Sequence, residues 1–163
     1  MGLPMRKQIR LTEYDYSTAN AYFITICTNN RINLFWKGAG IFIDRPEDIL
    51  LTELGEIVQR SIEAIPKYYP AISVDHYVIM PNHVHLLLQI HSDSNGRSMI
   101  APTISTVVRL MKGTVSKQAG YSVWQKGFYD HVIRNDKDYE ETWNYIEGNP
   151  GRWAEDKLYT SLR

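Results

Sequence analysis

Two apolar runs separated by only two residues constrain the fold of this chain more than any other feature. Residues 72–80 and 83–90 are rich in valine, isoleucine and leucine, and Pro81 and Asn82 stand between them. Proline presets its own φ and asparagine tolerates the left-handed region, so this pair is typical of a tight turn. The sequence therefore predicts an antiparallel hairpin. A third run at 21–28, β-branched and aromatic, predicts a central strand.

Three other segments have the apolar periodicity of helices. Thr52 is expected to cap the first, and Thr103 or Ser105 the second. A short edge element is expected at 38–43, and a short strand at 130–134. The predicted helices span about 52–68, 103–119 and 136–148. This order of elements predicts an α+β domain whose helices cover one face of a mainly antiparallel sheet.

The length of 163 residues fits one domain with a full hydrophobic core. We expect a single domain over 1–163, with a basic N-terminal arm at about 1–12 and a C-terminal tail at about 150–163. No apolar run approaches the ~18 residues that span a bilayer, and the basic N-terminus lacks the apolar core of a signal peptide. A cytoplasmic protein without a membrane partner is expected. Cys27 is the only cysteine, which excludes an internal disulfide and a cysteine-based zinc site.

Net charge is zero, but basic residues are concentrated between positions 97 and 134, where Asp130 is the one acid. We call this set the basic strip; it comprises Arg97, Arg109, Lys112, Lys117, Lys126 and Arg134. Such a strip indicates either a nucleic-acid surface or a solvated helix face.

His83 and His85 are the residues that point most directly to chemistry. Alternate side chains of a strand share a face, so both histidines point away from the aliphatic side of their strand. The aliphatic side is expected to lie under helices, which leaves the histidines side by side on an open face. Two neutral imidazoles at this spacing can chelate a divalent cation, although ordinary surface histidines give the same pattern. Leu87 occupies the place of the carboxylate in a His-x-His-x-Asp motif, which disfavours a binuclear zinc hydrolase.

Tyr145 stands out in the third predicted helix. We take the buried stripe of this helix to be Tyr139, Trp143 and Ile146. At about 100° per residue, Tyr145 lies away from that stripe, and Asn149 follows one turn later. A tyrosine placed next to an amide oxygen that can bind a metal is a candidate nucleophile. The alternatives are that Tyr145 is a packing tyrosine and that Asn149 only ends the helix.

Several motifs, taken in order, make the chain resemble a known family. They are RKQIRLTEYDYSTANAYFITICTNNRINLF, LLTELGEIV, DHYVIMPNHVHLLL, VVRLMKGTVSK, VWQKGFYDHVIRNDKDYEETWNYIEGNP and RWAEDKLY. They are similar to the motifs of REP-associated tyrosine transposases, relatives of the insertion-sequence-200-like transposases that use one tyrosine and a His-x-His (HUH) motif. The resemblance covers nearly the whole chain, and the stretch with the histidines is its most specific part.

The resemblance implies a fold, a metal site and a nucleophile. The fold is a ferredoxin-like antiparallel sheet with helices packed on one face. The metal ligands of the family match His83 and His85, the nucleophile matches Tyr145, and the polar residue that completes the metal site matches Asn149. These imidazole and amide ligands favour Mg²⁺ or Mn²⁺. Asparagine is shorter than the glutamine that also occurs there, and Gly148 beside it weakens the helix end.

The function implied by the resemblance is that of a metal-dependent, single-stranded DNA nickase and strand-transferase that recognises hairpin DNA. Tyr145 would form a 5′-phosphotyrosine intermediate, which a second 3′-OH can resolve to join new strands. The expected partners are single-stranded or hairpin DNA, with a homodimer as a possible assembly. The expected location is the bacterial cytoplasm, with nucleoid association when DNA is bound. Whether Tyr145 serves the histidines of its own chain or of a partner is left open.

Contacts with DNA are expected from the basic strip and from nearby aromatic residues. The basic residues expected to bind the DNA backbone are Arg109, Lys112, Lys117 and Lys126. Trp124, Phe128 and Tyr129 either stack on unpaired bases or pack in the protein. Tyr129 is also the rival nucleophile, and Tyr145 is preferred because of its neighbour Asn149 and the family's helix placement.

Three other functions are compatible with the same sequence. The first is a non-cleaving, hairpin-DNA-binding protein derived from a transposase. The second is an RNA-binding module with the same topology, but His83 and His85 occupy the face where it would need aromatic residues. The third is a metal-dependent phosphohydrolase unrelated to DNA, which a cleavage assay on hairpin DNA against simple phosphate esters would distinguish.

Overall fold

The computed structural model of the chain describes residues 20–38, 43, 45–91 and 103–159. The predicted N-terminal arm, most of the predicted edge element at 38–43 and Arg97 lie outside the described residues. None of the described helices is both long enough and apolar enough to span a bilayer.

Four strands form one sheet in the order β2-β3-β1-β4, and every neighbouring pair is antiparallel. The strands are β1 Asn20–Cys27, β2 Ile72–Ile79, β3 His83–Ile90 and β4 Tyr129–Val132. The hairpin of β2 and β3 around Pro81 and Asn82, the central position of β1 and the short last strand are all confirmed. Their order is that of a ferredoxin-like sheet, which confirms the predicted α+β class.

The helices are α1 Glu53–Glu63, α2 Ile65–Tyr68, α3 Ile104–Ala119 and α4 Asp136–Gly148. Short 3₁₀ helices occupy Asn29–Arg31, Pro46–Asp48 and Pro150–Glu155. Thr52 and Thr103 cap α1 and α3 as predicted, because each side-chain oxygen accepts a backbone N–H of the first turn. The single helix predicted over 52–68 is interrupted at Ala64, because Pro66 has no N–H to continue the helical hydrogen bonds.

The aliphatic face of the sheet lies under α1 and α3. Tyr77 of β2 is paired with Leu86, which belongs to the aliphatic side of β3. The Tyr77 hydroxyl donates to the Glu63 carboxylate of α1 at 2.7 Å, and α3 packs against α1. These contacts agree with the prediction that the aliphatic side of β3 faces helices.

Helix α4 covers the opposite face. His76 is paired with Leu87, so it shares the side of the sheet that His85 occupies. Its Nε2 lies 2.9 Å from the Glu147 carboxylate of α4. The face that carries the histidines of β3 therefore has its own cover, contributed by the last helix.

Gly55 and Gly113 form a matched pair for testing the packing of α1. A Cβ at Gly55 would lie 2.6 Å from the Phe35 carbonyl oxygen, whereas a Cβ at Gly113 in α3 meets nothing within 4 Å. We expect Gly55→Ala to lower the free energy of unfolding by about 1–3 kcal/mol through this clash. Gly113→Ala should raise it by about 0.5–1 kcal/mol, because alanine favours helix. Urea unfolding of both variants tests this, and equal effects would contradict the packing described for α1.

Candidate metal centre and tyrosine

His83 and His85 lie side by side in the protein interior. Their exposed fractions are 0% and 3%, and their ring centroids are 4.7 Å apart. The Trp153 ring, from the segment after α4, lies 6.0 Å from His83, and the Tyr145 ring lies 5.5 Å from His85. The expectation of an open histidine face is therefore wrong. Strand alternation determines which side chains share a face, but it does not reveal which later segment covers them.

Asn82, the turn residue before β3, fixes the orientation of His83. Its Nδ2 donates to the Leu158 carbonyl oxygen at 2.7 Å and to that of Arg31 at 3.3 Å. Its Oδ1 is therefore the atom that faces His83 Nδ1, at 2.7 Å. Because an amide oxygen only accepts, Nδ1 carries the proton and Nε2 keeps its lone pair. Metal-binding histidines are commonly oriented by such a hydrogen bond at the other ring nitrogen.

Thr25 of β1 has the corresponding relation to His85. Its Oγ1 lies 2.8 Å from His85 Nδ1, and with Nδ1 as the donor Nε2 again keeps its lone pair. Within the described part of the chain, neither His83 Nε2 nor His85 Nε2 has a hydrogen-bond partner, although both are buried. The Thr25 hydroxyl can donate or accept, so His85 offers a lone pair at Nε2 in the tautomer whose Nδ1 carries the proton, which is the tautomer that a cation at Nε2 would select.

Two side-chain oxygen atoms, one from Asp156 and one from Asn149, belong to the same cluster as these nitrogens. Asp156 Oδ2 lies 3.6 Å from His83 Nε2, and the ligand atoms of His83, His85 and Asp156 all lie within 4.8 Å of one another. Asn149, 2% exposed, adjoins both His83 and Tyr145. Among the described residues, Asn149 Oδ1 and Asp156 Oδ2 have no hydrogen-bond partner either. Two imidazoles, a carboxylate and an amide oxygen form a donor set that suits a divalent cation.

Burial keeps both imidazoles in the form that binds cations. It lowers the pKa of His83 to about 4, even though Asp156 and Asn149 act to raise it. Burial also holds the pKa of His85 well below its usual value, and the neighbouring His83 lowers it further. Both rings are therefore neutral near pH 7, the form in which an imidazole can bind a cation.

Tyr145 reaches this cluster from α4. Its ring packs edge-on against Phe23 at 5.9 Å and against His85 at 5.5 Å between centroids. Burial and, to a smaller extent, Asp156 raise the pKa of the Tyr145 hydroxyl, while Arg152 and Asn149 oppose that shift. The phenol is thus protonated near neutral pH, and the residues that act on it are those around the histidines.

The buried stripe of α4 differs from the predicted one. Its buried residues are Thr142 and Ile146, and Asn149 at the C-cap is buried as well. Trp143 is 37% exposed and stacks on His76, with ring centroids 4.2 Å apart. The reason is that α4 lies on the histidine face, so polar Thr142 and Asn149 face the sheet while Trp143 lies over its β2 edge.

Asp156 is the member of the cluster that the sequence did not reveal. It follows the 3₁₀ helix Pro150–Glu155, inside the segment expected to be a tail. Trp153 in that segment is 7% exposed, and its ring packs against Trp36 as well as His83. Nothing in the local pattern marks Asp156, which stands between Glu155 and Lys157 in a charged stretch. The one available signal is the apolar Trp153 three residues earlier, which indicates that the segment packs.

The structure brings together three of the four basic residues expected to bind DNA. Arg109, Lys112 and Lys126 line a cavity of about 460 Å³ between α3 and the segment before β4, and Lys117 is not among its lining residues. Lys112 Nζ donates to the carbonyl oxygens of Gln125 and Gly127 at 2.8 and 2.9 Å. Two of its three N–H bonds therefore hold the segment before β4 in place.

Of the three candidate stacking residues, Trp124 is 5% exposed and packs against Phe35. Its ring is part of the hydrophobic core, so the packing alternative applies to it. Phe128 and Tyr129 are partly buried at the edge of that core, which leaves part of each ring at the surface.

Comparison with known proteins adds to this geometry. Residues 45–149 match the family described as "Transposase IS200 like". A protein of Haemophilus influenzae described as uncharacterized is 34% identical over 177 residues, which cover 97% of this chain and 95% of that protein. The chain belongs to the IS200-like transposase family. The matched region includes His83, His85, Tyr145 and Asn149, and it excludes β1 and Asp156.

Two further comparisons bear on this member of the IS200-like family. The REP-associated tyrosine transposase of Escherichia coli is 26% identical over 102 residues, which cover 62% of this chain and 57% of that protein. A solved structure of a REP-associated tyrosine transposase bound to a REP hairpin has a TM-score of 0.58 at 20% identity. It covers 92% of this chain and 89% of that chain, and the likeness is one of fold. The resemblance inferred from the sequence motifs is confirmed.

The hydrogen bond between Thr25 and His85 provides a test of the metal centre of this IS200-like transposase. We expect Thr25→Val to weaken Mn²⁺ binding about 10-fold, because loss of the partner that orients a metal-binding histidine costs roughly 10–100-fold in affinity. Calorimetric titration with Mn²⁺ measures the effect. Thr114→Val, on α3, is the matched control and should bind as the wild type does. Equal affinity of the two variants would contradict the role given to Thr25.

Proposed function

We propose that this chain is a metal-dependent, single-stranded DNA nickase and strand-transferase that recognises hairpin DNA and forms a 5′-phosphotyrosine intermediate at Tyr145. The observation that supports this most is the position of the Tyr145 ring, 5.5 Å from the ring of His85. A nucleophilic hydroxyl and a cation-binding cluster then lie close enough to act on the same phosphate. Because both belong to one chain, the distance favours catalysis in cis.

His83, His85 and Asn149 would hold a Mg²⁺ or Mn²⁺ ion, and Asp156 adds a carboxylate to this set. The fit rests on the four buried atoms that lack hydrogen-bond partners in the described structure, since a cation would satisfy all four. When bound, such an ion neutralises a non-bridging phosphate oxygen and so makes the phosphorus accessible to an anionic nucleophile.

The chemical step uses the Tyr145 hydroxyl as the nucleophile. Its oxygen forms a bond to phosphorus in line with the departing 3′ oxygen, whose bond to phosphorus breaks. The proton lost by the phenol is balanced by the proton that the 3′ oxygen gains, and the second phosphate ester bond is kept in the phosphotyrosine. Attack by another 3′-OH reverses these changes and joins new DNA ends.

Recognition of hairpin DNA is proposed from the relatives and from the surface charge. The solved relative is described as bound to a REP hairpin. In this chain, Arg109, Lys117 and Lys126 are exposed, as side chains that bind a phosphate backbone must be. Lys112 is proposed to contribute mainly through the two carbonyl groups that it holds.

Tyr145→Phe tests the proposed nucleophile. We expect this variant to lose the covalent protein–DNA adduct completely while binding hairpin DNA as well as the wild type, because only the hydroxyl is removed. The measurement is adduct formation with hairpin-bearing single-stranded DNA and Mn²⁺ on a denaturing gel, followed by mass mapping of the modified peptide. Tyr129→Phe is the control and should keep the adduct.

Two outcomes would contradict the assignment. An adduct that persists in Tyr145→Phe, or that maps to the peptide holding Tyr129, would show that the nucleophile is another residue. Tight hairpin binding without an adduct in any variant, and with no cleavage, would favour a non-cleaving DNA-binding protein derived from a transposase.

Arg109→Ala tests the DNA surface. We expect weaker hairpin binding and a slope of log K against log salt concentration reduced by about 0.9, the contribution of one phosphate contact to B-form DNA. Binding measured across a salt series gives the slope. Lys67→Ala on α2 is the control, exposed but outside the cavity that Arg109 lines. If both variants keep the wild-type slope, Arg109 makes no phosphate contact and lies on a helix face that is only exposed to solvent.

A further inference from the structure

A second cavity adjoins the histidine cluster on the same face of the sheet. It has a volume of about 300 Å³, and its floor includes Thr25 and Cys27 of β1 and Tyr129 of β4. Thr25 is the cross-strand partner of His85 and Cys27 that of His83, while Tyr129 is the partner of Thr25 on the other side. Cross-strand partners lie on the same face of a sheet. The cavity therefore begins one strand away from the candidate metal centre.

The wall of this cavity is a segment held by several hydrogen bonds. Gln125 N donates to the Cys27 carbonyl oxygen at 3.0 Å, and Gln125 Nε2 donates to that of Thr28 at 3.3 Å. Lys112 holds the carbonyl groups of Gln125 and Gly127, and Gly127 adopts φ +73°, which lets the chain turn there. The wall is therefore ordered before any ligand arrives, which reduces the entropic cost of binding.

The chemistry of the wall combines a cation with an aromatic ring. Lys126 is exposed at the cavity, and Phe128 is partly buried with one side lining it. A lysine beside an aromatic ring suits a nucleotide of an unpaired strand, whose phosphate meets the ammonium while its base stacks on the ring. The volume is near the lower end of small-molecule sites, which suits one nucleotide better than a base pair.

The position of the cavity agrees with the path a DNA strand needs. Helix α4 lies over β2 and β3 on the histidine face, and Trp153 packs against His83. The cavity lies on the β1 and β4 side of the same face, so a strand whose phosphate reaches His85 and Tyr145 would continue into it. We propose that this cavity binds the base and phosphate of one unpaired nucleotide next to the scissile phosphate. This inference rests on the proposed function.

Binding measurements with two DNA probes test the proposal. One probe is a fluorescent REP-type DNA hairpin with short single-stranded flanks on both sides, and the other is the same hairpin without flanks, both in EDTA so that no cleavage occurs. We expect Phe128→Ala to weaken binding of the flanked hairpin about 10-fold, the size of one base-stacking contact, and to leave the unflanked hairpin unaffected. Lys126 lines both cavities, so Lys126→Ala should lower the salt slope for both probes, and by about 0.7 more for the flanked one, as for one additional single-strand phosphate contact.

Controls separate stacking from folding. Phe128→Leu keeps the apolar packing without the aromatic face, so it should weaken binding of the flanked probe as Phe128→Ala does. Phe128→Tyr keeps an aromatic ring and should bind the flanked probe as the wild type does. Tyr121→Ala removes an exposed aromatic residue of the same segment, 52% exposed and outside the cavity lining, and should change neither probe. Urea unfolding of each variant shows whether the fold is intact.

Abasic substitution locates the nucleotide. Each flank nucleotide is replaced in turn by an abasic one. At one position, loss of the base should weaken binding by the wild-type protein about as much as Phe128→Ala does. Combining the abasic position with Phe128→Ala should then cause no further loss of binding. The inference is overturned if no position behaves in this way, or if Phe128→Leu affects both probes equally. If the wild-type protein binds the flanked and unflanked hairpins equally well, the inference is wrong and the proposed function is unaffected. If it binds neither probe, the proposed function is contradicted as well.

Discussion

Four polar atoms that lack hydrogen-bond partners in the described structure meet inside this protein, and their burial governs the rest of the arrangement. They are the Nε2 atoms of His83 and His85, Asn149 Oδ1 and Asp156 Oδ2. Each buried, unpaired polar group costs on the order of 1–3 kcal/mol. In a core that served only stability, apolar side chains would be expected at these positions. The surrounding fold instead supports the cluster: Asn82 and Thr25 orient the two rings, and the sheet fixes the spacing of the histidines.

The same cluster explains why the last third of the chain matters for the site. Helix α4 brings Tyr145 and Asn149 to the histidine face, and the 3₁₀ segment that follows brings Trp153 and Asp156. Both segments reduce the water around the imidazoles, which keeps these rings neutral and strengthens any electrostatic interaction with them. The catalytic chemistry proposed for the chain thus depends on how a helix and a short segment pack on one side of a sheet.

The sequence predicted those features that depend on neighbouring residues. The β2–β3 hairpin followed from Pro81-Asn82, and the starts of α1 and α3 followed from Thr52 and Thr103, because turns and caps are local. The sequence also predicted that both histidines share one face. It could not predict what covers that face, because contacts between β3 and residues after 140 depend on tertiary packing. Asp156 and the exposed position of Trp143 were missed for that reason. The hydrogen bonds from Lys112 to the segment before β4 were missed because they too depend on tertiary packing.

The order of strands has a consequence for when the site forms during folding. β2 and β3 are adjacent in the chain and close a two-residue turn, whereas β1 pairs with β3 across more than 50 intervening residues and with β4 across about 100. Pairings between nearby residues form much faster than distant ones, because closing a longer loop has a larger entropic cost. The two histidines can therefore acquire their spacing in an early hairpin. The hydrogen bond between His85 and Thr25 follows when β1 docks. The cover of both rings is added when α4 and the segment Pro150–Glu155, which lie later in the chain, pack on this face.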